Sequence, residues 1–154
     1  MVLANSNEHT ERGFGTSVSE AARLMVDKRF RKGEHIRRAT SKLSPIKSYG
    51  SDDPEITMVG WGSTKGPALE TIGLLSGQGV KARYVQIRIM EPFPDGLMEY
   101  LSGETVLFEN NRTAALGTLI KLNTGYKFEN MGLRYDGRSL TPNEMVSKVM
   151  EVLG

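Results

Sequence analysis

Residues 56–67 read Ile56-Thr57-Met58-Val59-Gly60-Trp61-Gly62-Ser63-Thr64-Lys65-Gly66-Pro67. The β-rich run Ile56–Val59 stops at a glycine. After a short loop, Pro67 suits the first turn of a helix, and Ala68, Leu69, Ile72, Leu74 and Leu75 follow at helical spacing. Gly77 and Gly79 end that helix. A strand that enters a helix through a glycine-rich turn is the opening of a βαβ unit, and the rest of the chain is best read from here.

Downstream the alternation continues. Tyr84–Ile89 predicts a second strand, broken by Pro92-Phe93-Pro94, and Asp95 can start a short helix through Leu101. Thr105–Phe108 predicts a third strand and residues 113–122 a helix. Lys127–Met131 reads as a short fourth strand, with a turn at Tyr135-Asp136-Gly137. The last helix is signed at its start by Thr141 as N-cap, Pro142 next and Glu144 three residues after the cap, which is a capping box. Met145, Val146, Val149, Met150 and Leu153 form its apolar face. Strands alternating with helices predict a three-layer α/β/α fold with a mainly parallel sheet of about five strands.

Upstream the composition changes. Residues 1–53 carry ten basic and seven acidic side chains, a net +3, against ten and eleven, a net −1, in 54–154. Eight Lys/Arg lie between Lys28 and Lys47, with Glu34 the single acid among them. A helix is expected from Ser17 to about Arg38, capped by Ser17 or Ser19, with Lys28, Arg29, Arg31 and Lys32 in its later turns, where they complement the dipole. Ser44-Pro45 and Tyr49–Pro54 are rich in breakers and read as a linker. The expected organisation is therefore 1–53, a helical and linker segment, and 54–154, the α/β domain.

The whole chain has 154 residues, 20 Lys+Arg, 18 Asp+Glu and a formal net charge of +2. That length suits one domain with an appendage. The near balance of charge argues against a dedicated nucleic-acid binder, and the basic stretch has only Phe30 and Tyr49 as stacking aromatics. There is no cysteine, which excludes disulfides, a thiol nucleophile and Cys-ligated zinc or iron–sulfur centres on this chain. His9 and His35 are too few for a His-based metal site, and His9 stands alone in a polar stretch. No apolar run approaches the ~20 residues that span a bilayer. The N-terminus lacks the basic lead of a secretory signal, so a soluble cytoplasmic protein is expected.

Three candidate sites stand out. The first is the turn Gly62, Ser63, Thr64, Lys65 and Gly66: glycines permit close approach, a helix N-terminus offers N–H groups to anions, and Lys65 adds a charge. With Gly60 it forms G-x-G-x-x-x-G, a variant of the dinucleotide fingerprint. Lys65 precedes the last glycine, unlike a P-loop, and Arg88 sits near where the ribose-binding acid belongs. A tight turn with a Ser/Thr cap and no ligand accounts for the same residues. The second is Arg88, which at a strand's carboxyl end can bind a carboxylate or phosphate, or can anchor the Pro-rich turn. The third is Glu109-Asn110-Asn111: Glu109 as an acid or base with asparagines orienting a substrate, or Asn111 as a helix N-cap.

Taken together, Ile56–Gly66, Arg88 with Pro92-Phe93-Pro94, Glu109-Asn110-Asn111 and Tyr135-Asp136-Gly137-Arg138-Ser139-Leu140-Thr141-Pro142 resemble the C-terminal part of the alpha subunit of 2-oxoacid:ferredoxin oxidoreductases. Asn5-Ser6-Asn7-Glu8-His9 and Val26-Asp27-Lys28-Arg29 resemble the segment leading into it. Two stretches depart from the family pattern. Thr113-Ala114-Ala115-Leu116 stands where the family tends to have Thr-Gly-Gln-Leu, and Ile89-Met90-Glu91 replaces an aromatic-rich segment.

The resemblance implies a transketolase C-terminal-like domain and an internal start within a longer subunit. It implies no catalytic residue on this chain, and thiamine diphosphate, Mg, coenzyme A and iron–sulfur clusters carried by other domains or subunits. The implied partners are a beta subunit, further subunits and ferredoxin, with neither nucleic acid nor membrane. The domain itself is expected to serve subunit packing, with candidate contacts to coenzyme A or another anion through Gly62, Ser63, Thr64, Lys65 and Arg88. An independent nucleotide-binding α/β protein and a ligand-free assembly domain are the alternatives.

Overall fold

The computed structural model describes residues 7–154, so Asn5 and Ser6 of the leading segment lie outside the described residues. The chain divides into two compact units, one ending at Leu43 and one running from Ser44 to Gly154. In the first, β1 (Glu8–His9) and β2 (Gly15–Thr16) form a small antiparallel hairpin, followed by helix α1 (Ser19–Ser41). The Arg29 guanidinium reaches back to both oxygens of Glu8, and this pairing holds the Glu8 carboxyl down to about 2. The residue before the helix is Val18, with no side-chain cap; Thr16 Oγ1 accepts from Val18 N at 3.1 Å instead of Ser17 or Ser19 acting as the cap.

The second unit is built on β3 (Ile46–Gly50), β4 (Ile56–Trp61), β5 (Ala82–Ile87), β6 (Glu104–Glu109) and β7 (Asn130–Leu133), in the order β3-β5-β4-β6-β7. The last four are parallel, and β3 runs antiparallel along β5 with Ile46 opposite Ile87. The stretch assigned to a linker in the 1–53 segment thus supplies an edge strand, and the unit holding the sheet begins at Ser44. The physical reason is local: only Ile46 of the strand is buried, so an edge strand with one apolar anchor between Pro45 and Gly50 carries little period-2 signal.

Alternation along the strands divides the core in two. Ile56, Met58, Tyr84, Val106 and Phe108 face one side, where helices α2 (Lys65–Ser76) and α4 (Pro142–Leu153) bring Ala68, Leu75, Met145 and Val149. Val59, Val85, Ile87 and Leu107 face the other, against Leu116 and Ile120 of α3 (Ala115–Thr124). The result is the expected three-layer α/β/α fold. The crossovers β4-α2-β5 and β6-α3-β7 run outward from neighbouring strands in opposite directions, and a common handedness sends their helices to opposite faces. The capping box forms as expected: Thr141 Oγ1 accepts from Glu144 N, and Glu144 Oε2 accepts from Thr141 N at 2.8 Å. Among the described residues no helix is long and apolar enough to cross a membrane.

At the amino ends of the strands sits a buried guanidinium. Arg83 donates to the carbonyls of Ser51 (2.9 Å), Asp52 (2.5 Å) and Tyr100 (3.1 Å) and to Ser102 Oγ (3.2 Å). Four neutral acceptors from two loops satisfy it in place of a carboxylate.

Candidate functional site

In an open α/β sheet the ligand crevice lies beyond the carboxyl ends of two adjacent strands whose connections leave to opposite faces. Here those strands are β4 and β6. A concavity of about 220 Å³ lies at that place, lined by Trp61, Gly62, Ser63, Thr64, Asn110 and Asn111. The topology therefore brings together two stretches picked out from sequence, the glycine-flanked turn and the Glu-Asn-Asn segment.

Gly62–Thr64 form a single 3-10 turn, with Gly62 at φ +55°, a conformation that favours glycine. Gly60 has a different job. A Cβ there would lie 2.5 Å from Thr64 Oγ1 and 3.0 Å from the Phe108 carbonyl oxygen, so this glycine makes room for protein atoms. The Thr64 hydroxyl is buried, bonded to the Trp61 carbonyl and to the Tyr84 hydroxyl, each at 2.8 Å. Burial pushes the Tyr84 phenol up to about 12, against the lowering effect of its Thr64 bond. Thr64 thus spends its hydroxyl inside the fold, and α2 starts without a side-chain cap. Ser63 is exposed, and its Oγ accepts from Asn110 Nδ2 at 3.0 Å.

The two expected cations lie elsewhere. Lys65 Nζ stands 5.3 Å from the centroid of the Tyr49 ring. Arg88 Nη1 donates to the Ser44 carbonyl at 2.9 Å, which ties β5 to the start of β3. Neither lines the concavity.

Glu109 is wholly buried and accepts four N–H bonds. Its Oε2 takes Trp61 Nε1 (3.2 Å), Asn111 Nδ2 (2.7 Å) and Leu116 N (3.0 Å), and its Oε1 takes Gly117 N (3.1 Å). With every donor an N–H group, Glu109 works as an acceptor-only cap on α3 and as the anchor of Trp61. Asn111 completes the cap, its Oδ1 accepting from Thr113 N and Ala115 N. Ala114, the residue before α3, is forced to φ +48° and ψ +54°. Asn110 is pinned from the other side, its Oδ1 accepting from Leu140 N at 3.0 Å.

Sequence reasoning did not single out Trp61, although its place between two glycines at a strand's carboxyl end was a signal. Among the described residues no cluster of His, Asp and Glu is arranged to hold a metal ion.

No protein-family model matches the chain. It is 31% identical over 150 residues to the alpha subunit of 2-oxoacid:ferredoxin oxidoreductase of Saccharolobus solfataricus, covering 96% of this chain and 24% of that subunit. The chain thus spans about a quarter of the length of that subunit and of the similar curated alpha subunits it matches. The alpha chain of a probable 2-oxoacid ferredoxin oxidoreductase from Thermoplasma acidophilum is 32% identical, with a TM-score of 0.53 over 71% of this chain and 97% of that one. The 2-oxoglutarate:ferredoxin oxidoreductase of Magnetococcus marinus, solved with 2-oxoglutarate, coenzyme A and succinyl-CoA, matches in fold with a TM-score of 0.78 at 23% identity, covering 100% of this chain and 27% of that one. Transketolase of Pichia stipitis shares the fold at a TM-score of 0.56 and 17% identity, over 74% of this chain and 18% of its own. The ordered motifs, the doubly wound sheet and these likenesses agree: the chain belongs to the 2-oxoacid:ferredoxin oxidoreductase alpha-subunit family and carries the C-terminal, transketolase-like domain of that subunit.

Proposed function

We propose that the chain works within a complete 2-oxoacid:ferredoxin oxidoreductase in the cytoplasm. In that complex a 2-oxoacid is decarboxylated on thiamine diphosphate held with Mg, the acyl group passes to coenzyme A, and electrons leave through iron–sulfur clusters to ferredoxin. The observation that carries this reading is the 32% identity to an alpha chain of which 97% is covered. With no cysteine, the chain supplies no thiolate to a cluster, so the clusters belong to other domains or subunits. Thiamine diphosphate and Mg are assigned, as part of the same proposal, to other domains or to a beta subunit. The N-terminal helical segment and the sheet unit serve subunit packing. Purification from the native source with a C-terminal tag tests this. Companion polypeptides bearing thiamine diphosphate and iron–sulfur clusters are expected; a chain that purifies without them overturns it.

Within that complex the residues Gly62, Ser63, Thr64, Lys65 and Arg88 are proposed to contact coenzyme A or another anion. Two features support this. The first turn of α2 has no side-chain cap, and Lys65 meets the half-buried Tyr49 ring in a contact worth roughly 0.5–2 kcal/mol, which a phosphate can displace. Lys65→Ala and Arg88→Ala in the complex should raise the KM for coenzyme A about fivefold or more with kcat little changed. Unaltered coenzyme A saturation in both variants excludes the contact.

A further inference from the structure

The concavity between the β4 and β6 ends has a chemistry of its own, distinct from that of the anion-seeking residues beside it. Its wall is Trp61, 39% exposed, whose indole is fixed by the bond from Nε1 to Glu109. Its polar groups are donors. Asn110 and Asn111 have each committed the side-chain oxygen and one amide proton to the protein, leaving one N–H apiece. Ser63 Oγ already accepts from Asn110, so its hydroxyl proton is left to donate.

Among the described residues no cation lines the site: Lys65 turns to Tyr49 and Arg88 reaches Ser44. Directly behind the lining, bonded to both Trp61 and Asn111, lies the Glu109 carboxylate. A phosphate or carboxylate placed in the concavity would face that buried charge with no counter-charge at hand. An aromatic wall with neutral donors suits a flat, uncharged ring system carrying acceptor nitrogens. The volume, about 220 Å³, is smaller than the roughly 300 Å³ and upward of a pocket for a drug-sized ligand, and suits one such ring system.

We propose that the concavity is a purine-base site: the base stacks on Trp61, and its ring nitrogens accept from Ser63 Oγ, Asn110 Nδ2 and Asn111 Nδ2. If the ligand of the preceding section is coenzyme A, its adenine occupies this site and its phosphates lie outside, toward the start of α2. The inference rests on the oxidoreductase reading only for the identity of that adenine carrier.

Trp61 is the sole tryptophan of the sequence, so indole emission reports on this site alone. The full chain is titrated with adenosine, coenzyme A, pantetheine and inorganic phosphate. Adenosine and coenzyme A should quench the emission with dissociation constants that agree within a few-fold, while pantetheine and phosphate leave it unchanged. Ser63→Ala, on the exposed turn, should weaken adenosine binding about fivefold, and Trp61→Leu, followed by calorimetry with its fold checked by circular dichroism, by about tenfold or more. Quenching by phosphate with adenosine silent, or silence with every ligand, overturns the proposal. So does a Ser63→Ala chain that binds adenosine as tightly as the parent. Failure of the oxidoreductase reading leaves the adenosine titration untouched. Adenosine silence in a chain that does co-purify with thiamine diphosphate-bearing partners defeats the base site alone.

Discussion

Two helices begin side by side at the carboxyl end of the sheet, and they begin in opposite ways. The start of α3 is closed: Glu109 and Asn111 together accept from the backbone N–H groups of Thr113, Ala115, Leu116 and Gly117. The start of α2 is open, entered through a 3-10 turn whose threonine points into the core and caps nothing. The same favourable dipole end exists at both, but at α3 the protein's own carboxylate has taken the place an external anion would occupy. Of two helix ends at a switch point, one is closed by the protein's own side chains and the other begins without a side-chain cap.

The largest effect should come from opening the closed end. Glu109→Ala strips the acceptor from Trp61 Nε1, Asn111 Nδ2 and two backbone N–H groups at once, and should cost about 3–5 kcal/mol in urea denaturation. A loss under 1 kcal/mol would mean that the cap is not what fixes α3. Next, Gly60→Ala crowds the open end, since the new methyl would lie 2.5 Å from Thr64 Oγ1. It should lower stability by about 2 kcal/mol and shift the emission of Trp61, while leaving the α3 cap in place. Unchanged stability would show that the turn adapts freely. The smallest effect is a gain. Ala114 holds φ +48° and ψ +54°, and it stands where the family tends to carry glycine. Ala114→Gly should raise stability by roughly 1 kcal/mol, because glycine takes that conformation without the Cβ penalty. A destabilised variant would mean that the Ala114 methyl packs more usefully than its backbone is strained.

The contrast between the two ends was only half legible from sequence. Strand and helix periodicities, the glycine stop of α2 and the Thr141–Glu144 capping box are local signals, and each produced its element within a few residues. The Gly62–Lys65 turn and the Glu109–Asn111 stretch were also visible as candidates, because both follow strands. Which side chains face inward was not visible. A threonine in a turn reads alike whether it bonds solvent or Tyr84, and a glutamate after a strand reads alike as a surface acid or a buried cap. Arg88 was read beside a ligand crevice, yet its guanidinium reaches the Ser44 carbonyl of a segment 44 residues away in sequence, a separation no local pattern records. Strand β3 escaped for the opposite reason: it belongs to the sheet by its backbone pairing with β5, and its side chains give little sign of it.

Arg83 has a consequence for how this domain can be taken apart. One charged side chain fastens the loop before β4 to the loop before β6, and it does so with main-chain oxygens and a single hydroxyl. New termini or inserted domains at residues 51–53 or 100–103 would strand a positive charge in the interior. The turn at Tyr135-Asp136-Gly137, exposed and remote from that guanidinium, is the joint at which a tag or a circular permutation should be accepted.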